Sequence, residues 1–526
     1  MPSGARPWNW SLARRSRRTP LSLRRRKSRT LRHPRAAALA FSPLRDRTLP
    51  PWRPTHRQKD EVMTGINEAF SWVSGTVWLG LIAITLWAVV WVIRYLRATP
   101  MKRRSIRLAV RIRWGWKRLA PMVNLSVTDK MPTAVASLAS GDKVVKPRVL
   151  VPTLKVVPDE FGVIVRASCL PQVGLKEFQK AAPYLADAWR MTRVSVLPDK
   201  PGQVLIRGVR VDPLITSTTH TPSGHPPEKV ALWDLGVDEF GMPVSVPLSE
   251  VPGITMAGLP GFGKTSAVNR LICDWAPSPA VQFNVFDGKV SHAYEGDYAD
   301  LVERLFAFVG DDLEAANKEL KRLVELRRAR SACQKQIRGV KNFWHVGPTE
   351  EWPLIVTIID EAHTYFRDHK GSDAQTKRLA ALAAENARLV EDLTKKGRAL
   401  GFLTLIITQK TTGDAIPTFI RDVCPVGLSF AQKTADAAVA ALGDDIRQWP
   451  EANPVTLQDA AYVGVAVMNA HGRPGFVRIR TPFVADEHAA RIAAETAHLT
   501  RDPGQLLERL TGQDPVDLAK ALSEAA

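Results

Sequence analysis

The chain has little cysteine, and what it has is scattered. Four occur in 526 residues, Cys169, Cys273, Cys333 and Cys424, with no CxxC pair among them. That spacing offers neither a disulfide framework nor a thiolate zinc site. It predicts four buried, reduced thiols in a cytosolic fold. No haem- or flavin-binding pattern is present, and no internal repeat. Acid is scarce at the N-terminus: residues 1–62 hold only Asp46, Asp60 and Glu61 against seventeen Lys or Arg. Charge of either sign is missing from Phe70 to Ile93.

Each absence has a consequence. The formal charge is +21, yet residues 63–526 contribute only +7 of it, from 56 basic and 49 acidic side chains. The excess sits in a proline-broken block with runs such as Arg24-Arg25-Arg26-Lys27. Such a block buries too little apolar surface to offset chain entropy, which predicts a disordered basic arm. It contains no secretory apolar core. Two readings stay open: an arm that touches nucleic acid or anionic lipid, or residues upstream of a true start at Met63.

The uncharged stretch from Phe70 to Ile93 is long enough, at about 1.5 Å per residue, to cross a hydrocarbon core of about 30 Å. Trp72, Trp87 and Trp91 lie toward its ends, where indole favours the interface. Ten cations and no acid follow between Arg94 and Arg118. The positive-inside rule then puts the C-terminal side in the cytoplasm. Residues 1–62, if translated, pull the other way, and a start at Met63 removes the conflict. The expectation for residues 63–118 is one transmembrane helix in the inner membrane with a basic, lipid-facing flank. Headgroup attraction there is worth about 1 kcal/mol per cation.

Residues 119–147 read as a linker. Residues 148–228 read as a small α+β domain and a loop. Its predicted strands are Val149–Val157, Phe161–Ala167, Val194–Leu197 and Gln203–Val209, around a helix at Leu175–Met191. From 229 to 485 strands and helices alternate, which predicts an α/β domain with a parallel sheet and helices on both faces. Its strands are placed at Gly253–Ala257, Val281–Phe286, Leu354–Ile359, Leu403–Thr408 and Val426–Phe430, with Tyr462–Met468 and Gly475–Ile479 closing it. Helices are expected at 265–275, 298–336, 373–399 and 433–442. The tail, 486–526, reads as two short helices.

The chemistry lies where these strands end. Gly258-Leu259-Pro260-Gly261-Phe262-Gly263-Lys264-Thr265 matches G-x-x-x-x-G-K-[ST] between a strand and a helix. Its glycines let backbone N–H groups curl around phosphate, and the helix N-terminus adds a favourable field. Lys264 should reach the β- and γ-phosphates of ATP, and the Thr265 hydroxyl should ligate Mg²⁺. Leu354–Ile359 runs into Asp360-Glu361, which suits a Mg²⁺ shell and a general base for water. Leu403–Thr408 runs into Gln409, placed to sense the γ-phosphate or orient the water. Asp287-Gly288-Lys289 ends another strand, and a plain turn or a functional one fits it equally.

In this order these residues resemble the FtsK/SpoIIIE family of DNA-pumping ATPases. The resemblance rests on Ala257–Ser266, Asp287-Gly288-Lys289, Val356–Glu361, and Lys396-Gly397-Arg398-Ala399-Leu400-Gly401-Phe402 leading to Thr408-Gln409. It covers roughly residues 230–485. The single span and compact size are more similar to actinobacterial plasmid-transfer members, the TraB or TraSA type, than to cell-division members. It implies a RecA-like P-loop motor in a hexameric ring that threads double-stranded DNA, preceded by a ring-forming domain. It also implies an arginine reaching each site from the next subunit, with Arg398 and Arg421 as candidates. Two features depart from cell-division members: one span instead of several, and an acidic tail where they carry a DNA-reading winged helix.

Competing readings are a protein-secretion ATPase, working with other secretion components, and a membrane tether that binds DNA and uses nucleotide only as a switch. Glu361 speaks against the tether, since a switch needs no general base. Asp360-Glu361-Ala362-His363 also spells a DEAH helicase motif, but the late arginine-rich motif of those helicases has no counterpart here.

Overall fold

Long apolar runs, each stopped by glycine, acid or glutamine, dictate the architecture. The computed structural model describes residues 82–83, 85–86, 88–129, 148–230, 232–409, 415–469 and 475–519. The chain divides into two compact units, Met1–Val90 and Trp91–Ala526; the elements named below belong to the second.

Helix α1 (Pro100–Met122) opens this unit. It begins with Thr99, whose hydroxyl accepts from the Lys102 N–H, a standard N-cap contact. The basic flank is therefore a helix that runs past residue 118, and the first residues of the expected linker are its last turn. Its cations obscure an apolar face: Leu108, Ile112, Trp116 and Ala120 are buried. Two short strands follow, β1 (Val127–Asp129) and β2 (Arg148–Leu150), paired antiparallel.

A four-stranded antiparallel sheet comes next. Its strands are β3 (Leu154–Pro158), β4 (Gly162–Ser168), β5 (Arg193–Pro198) and β6 (Gln203–Val209), in the order β3-β4-β6-β5. Helix α2 (Leu175–Trp189) lies between β4 and β5 in the chain. α1 packs on β3 and β4, and α2 packs on β5 and β6. One hydrophobic cluster joins both helices to the sheet. A buried ionic cluster links this layer to the larger sheet. Arg193 pairs with Glu239, and Asp212 lies 4.0 Å from Arg193 and 3.4 Å from Arg478.

The larger sheet has ten strands among the described residues. They are β7 (Leu232–Asp238), β8 (Pro243–Pro247), β9 (Gly253–Ala257), β10 (Val281–Asp287), β11 (Leu305–Val309), β12 (Leu354–Asp360), β13 (Phe402–Thr408), β14 (Val426–Ser429), β15 (Val465–Asn469) and β16 (Phe476–Arg480). The order is β11-β10-β12-β13-β9-β14-β15-β16-β7-β8. The first six run parallel, and the pairings from β14 to β8 are antiparallel. β9, β10, β12 and β13 are buried at every position, which is why β9, β12 and β13 read as largely apolar runs and not as alternation; β10 also buries Gln282 and Asn284. The helices of eight residues or more are α3 (Lys264–Trp275), α4 (Leu313–Arg338), α5 (Ala374–Gly397), α6 (Ala435–Leu442), α7 (Asp486–Thr496) and α8 (Pro503–Thr511). Asp312 and Asp373 cap α4 and α5, each accepting a backbone N–H at 2.8 Å. Arg330 on α4 is fully buried and donates to the carbonyls of Pro353 (3.0 Å) and Leu400 (3.1 Å), which ties α4 to the ends of β12 and β13.

Three strands of the larger sheet were not expected, and β1 falls in the stretch read as a linker. β11 falls inside the helix predicted over 298–336. A five-residue apolar run fits either period, and parallel pairing with β10 decides it as an edge strand. β7 and β8 form a hairpin that pairs with β16. Among the described residues no helix is long and apolar enough to cross a membrane. Residues 70–81, 84 and 87 of the expected span lie outside the described residues, as do the arm at 1–62 and the linker at 130–147. All four cysteines are free, with Cys169 half-buried and the other three buried.

Candidate nucleotide site

Strand order assembles the site. β10, β12, β13 and β9 are parallel neighbours, so the segments that follow them share one edge of the sheet. Those segments are Asp287-Gly288-Lys289, Asp360-Glu361, Gln409 and the loop Gly258–Thr265. Asp287 sits in register with Asp360, and Thr408 with Ala257. β13 separates β9 from β12, which places Gln409 between the glycine loop and the carboxylate pair.

The loop has the shape its glycines permit. Gly258 has φ +151°, and a Cβ there would meet Phe430 Cβ at 2.7 Å. Gly263, the residue before α3, has φ +96° and a backbone neighbour 3.0 Å from where its Cβ would be. Side chains at either position would force the loop to open. Leu259 and Phe262 turn their side chains into the hydrophobic core, so the loop meets a ligand through backbone and through Lys264, Thr265 and Ser266. The Lys264 ammonium donates to the Leu259 carbonyl at 2.8 Å. Burial pulls its pKa down to about 8, against the opposing pull of Asp360.

Asp360 is the hub. Its Oδ2 accepts from the Thr265 hydroxyl (3.3 Å), the Lys289 ammonium (3.0 Å) and the Tyr298 hydroxyl (3.1 Å). Its Oδ1 accepts from the Glu361 N–H at 2.7 Å. Burial alone would lower the Lys289 pKa, but Asp360 holds it above its ordinary value. Asp287, one residue pair away, is pushed up to about 6 by burial and by Asp360, and its Oδ2 has no partner. Thr265 and Asp360 offer a hydroxyl and a carboxylate, the hard oxygens that Mg²⁺ takes together with phosphate and water. The residues fit that ion, which when bound would neutralise charge on the transferring phosphate.

Glu361 has φ +50°, which is strained for a residue with a Cβ. Its Oε2 is buried without a partner. Burial, then the charge of Asp360, raises its pKa, while the Gln409 N–H opposes the rise. A desolvated carboxylate with a free oxygen is suited to take a proton from water.

A cavity of about 710 Å³ opens over this edge, within the range of small-molecule sites. Gly261, Lys264, Thr265, Ser266, Lys289 and Gln409 line one side. Arg398 and Arg421 are not brought there. Arg398 donates to the Ser249 carbonyl at 3.0 Å, and Arg421 to the Ala440 carbonyl at 2.5 Å and the Thr418 hydroxyl at 3.1 Å. Both precede their strands, so they sit at the opposite edge, a strand length of roughly 20 Å away.

No protein-family profile matches the chain. Its sequence is 24% identical over 305 residues to the DNA translocase FtsK of Staphylococcus aureus (strain Mu50), covering 56% of this chain and 35% of that protein. It is 24% identical over 368 residues to the DNA translocase FtsK of Leptospira interrogans, covering 65% of this chain and 35% of that one. The chain is similar to FtsK translocases, as its motifs imply. It spans about a third of the length of these FtsK relatives. Among solved structures, the pCW3 conjugation coupling protein TcpA with ATPγS aligns over 74% of this chain and 99% of its own. That alignment has 16% identity and TM-score 0.45. The cytoplasmic domain of the Thermomonospora curvata type VII secretion ATPase EccC aligns over 56% of this chain and 34% of its own, at 16% identity and TM-score 0.41.

The far wall of this FtsK-like site was not legible in the sequence. It is built by Thr218 and Thr219, Val463 and Gly464, and the segment from Arg480 to Val484. Backbone bonds join His220 N–H to the Phe483 carbonyl (2.7 Å) and Phe483 N–H to the Thr218 carbonyl (2.8 Å). Arg480 donates to the carbonyls of Leu214 (2.6 Å) and Ala461 (2.7 Å). The loop after residue 213 reads as a connector because its role depends on partners some 250 residues away. Only a pairing pattern across many related sequences could have shown it.

Proposed function

We propose that this chain is a membrane-anchored, ATP-driven translocase of double-stranded DNA, serving transfer of a plasmid or conjugative element or chromosome segregation. The observation that carries the reading is the single sheet edge that gathers Lys264, Thr265, Asp360, Glu361 and Gln409, with Lys264, Thr265 and Gln409 lining one cavity. ATP is the substrate. Lys264 and the loop backbone hold its phosphates, Thr265 and Asp360 hold the metal, and Glu361 takes the proton of the attacking water. The similarity to FtsK translocases supports DNA as the cargo.

On this proposal the motor works as a homo-hexamer on the cytoplasmic side of the inner membrane. Each site is completed by Arg398 or Arg421 of the next subunit, because neither arginine reaches the phosphate edge of its own subunit. The uncharged stretch Phe70–Ile93 and the cations that follow it in sequence support the anchor.

The test is ATP hydrolysis by the full chain with and without duplex DNA. Stimulation by DNA that disappears in Lys264→Ala and Glu361→Gln is expected. Hydrolysis indifferent to DNA would overturn the DNA-motor reading and favour a protein-secretion ATPase.

A further inference from the structure

Four of the eight cations of α1 fall in one row with a tryptophan. Arg104, Arg107, Arg111, Trp114 and Arg118 follow at steps of three and four residues, so they share one helix face. All five are exposed, Trp114 at 86%. The opposite face is fixed to the four-stranded sheet. Leu108, Ile112 and Trp116 belong to its hydrophobic cluster, Trp116 Nε1 donates to the Pro152 carbonyl at 2.7 Å, and Arg113 donates to the Val156 carbonyl. The row is therefore held outward. α1 contains no acid; Glu160 meets it only at its start, accepting from Thr99 at 2.9 Å. The helical residues 91–97 before α1 are tied to it, since Arg103 Nε donates to the Tyr95 carbonyl at 3.0 Å. They present exposed Trp91, Val92, Ile93 and Leu96.

We propose that this row is a docking surface for the anionic headgroups of a bilayer, so that α1 holds the four-stranded sheet against the membrane. The proposal rests on the membrane-anchored reading and deepens it. Guanidinium suits phosphate in lipid and in nucleic acid alike. Trp114 separates the two. An indole in water amid arginines matches the headgroup level, where its apolar ring and its N–H are both served. The stacked bases of an intact duplex offer it no open face, unlike those of a single strand. The exposed apolar helical residues 91–96 lead into the row, and the expected span ends among them in sequence. Each cation near an anionic leaflet strengthens binding about fivefold, so the row acts as a unit.

The test uses the full chain with vesicles of phosphatidylcholine alone or with phosphatidylglycerol added. A nitroxide is placed at Trp114→Cys, with Cys169→Ser because the other thiols are buried. The label should be shielded from a water-borne nickel chelate on the anionic vesicles and open to it on the neutral ones. With Arg104→Glu, Arg107→Glu, Arg111→Glu and Arg118→Glu combined, it should be open on both, while DNA-independent ATP hydrolysis persists and reports a folded motor. A label open on anionic vesicles overturns the proposal. So does a label shielded only when duplex DNA is added, which would make the row a nucleic-acid surface. Flotation reads the anchor separately. Failure to float with neutral vesicles would remove the anchored reading, yet flotation with anionic vesicles that the four substitutions abolish would still support the row. Failure to float with either overturns both.

Discussion

The two edges of the large sheet differ in what they lack. The phosphate edge holds a loop, Lys264 and Lys289, three acids and a glutamine, but neither candidate arginine is among them. The opposite edge holds Arg398 and Arg421, each bonded to carbonyls of its own chain and far from any phosphate loop of that chain. One edge holds the nucleotide site; the other carries both candidate arginines. The difference teaches that one subunit encodes two unlike halves, and that a ring would bring them together.

Breaking the pairing of the edges should have the largest effect. If the proposed ring supplies an arginine in trans, replacing it, by Arg398→Ala or Arg421→Ala, should lower ATP turnover by about 10³-fold. Mixing that inactive variant with inactive Lys264→Ala should restore some activity, because one kind of interface then has both halves. Measured turnover that stays at zero in every mixture would refute a trans role. Glu361→Gln should lower hydrolysis by roughly 10²-fold or more while ATP binding, followed by a fluorescent analogue, is retained. An equal loss of binding would make Glu361 structural.

Smaller effects sharpen the phosphate edge itself. Lys289→Met removes the ammonium from Asp360 and should change the Mg²⁺ concentration needed for half-maximal turnover, by about tenfold. Lys289→Arg should recover part of it, and no shift in metal dependence would mean that Lys289 only supports the turn. Asp287 gives the smallest effect, read as stability. Burial lifts its pKa to about 6 in the fold, above its unfolded value. Its contribution is therefore present at low pH and lost as pH rises through about 6. Asp287→Asn should raise the Tm by about 2–4 °C at pH 7.5 and leave it unchanged near pH 4. A gain at both would place its origin elsewhere.

Legibility followed how local each signal was. β9, β12 and β13 were readable because strands buried on both faces spell continuous apolar runs, and their polar ends then mark a sheet edge. Asp287-Gly288-Lys289 was undecided, since its meaning comes from β10 lying beside β12. α1 read as a bare basic flank because its apolar face is interleaved with cations at every turn. Arg330 and Arg480 look like surface residues in sequence, yet each is buried by carbonyls drawn from distant segments. The far wall of the cavity is backbone pairing between residues near 218 and 483, which no single-sequence pattern encodes.

The central claim is that closing this site moves duplex DNA. Displacement of a third strand from a triplex on linear duplex DNA measures it directly. The account predicts ATP-dependent displacement by the full chain, abolished by Glu361→Gln. Rapid ATP hydrolysis on that DNA with the third strand left in place would contradict it.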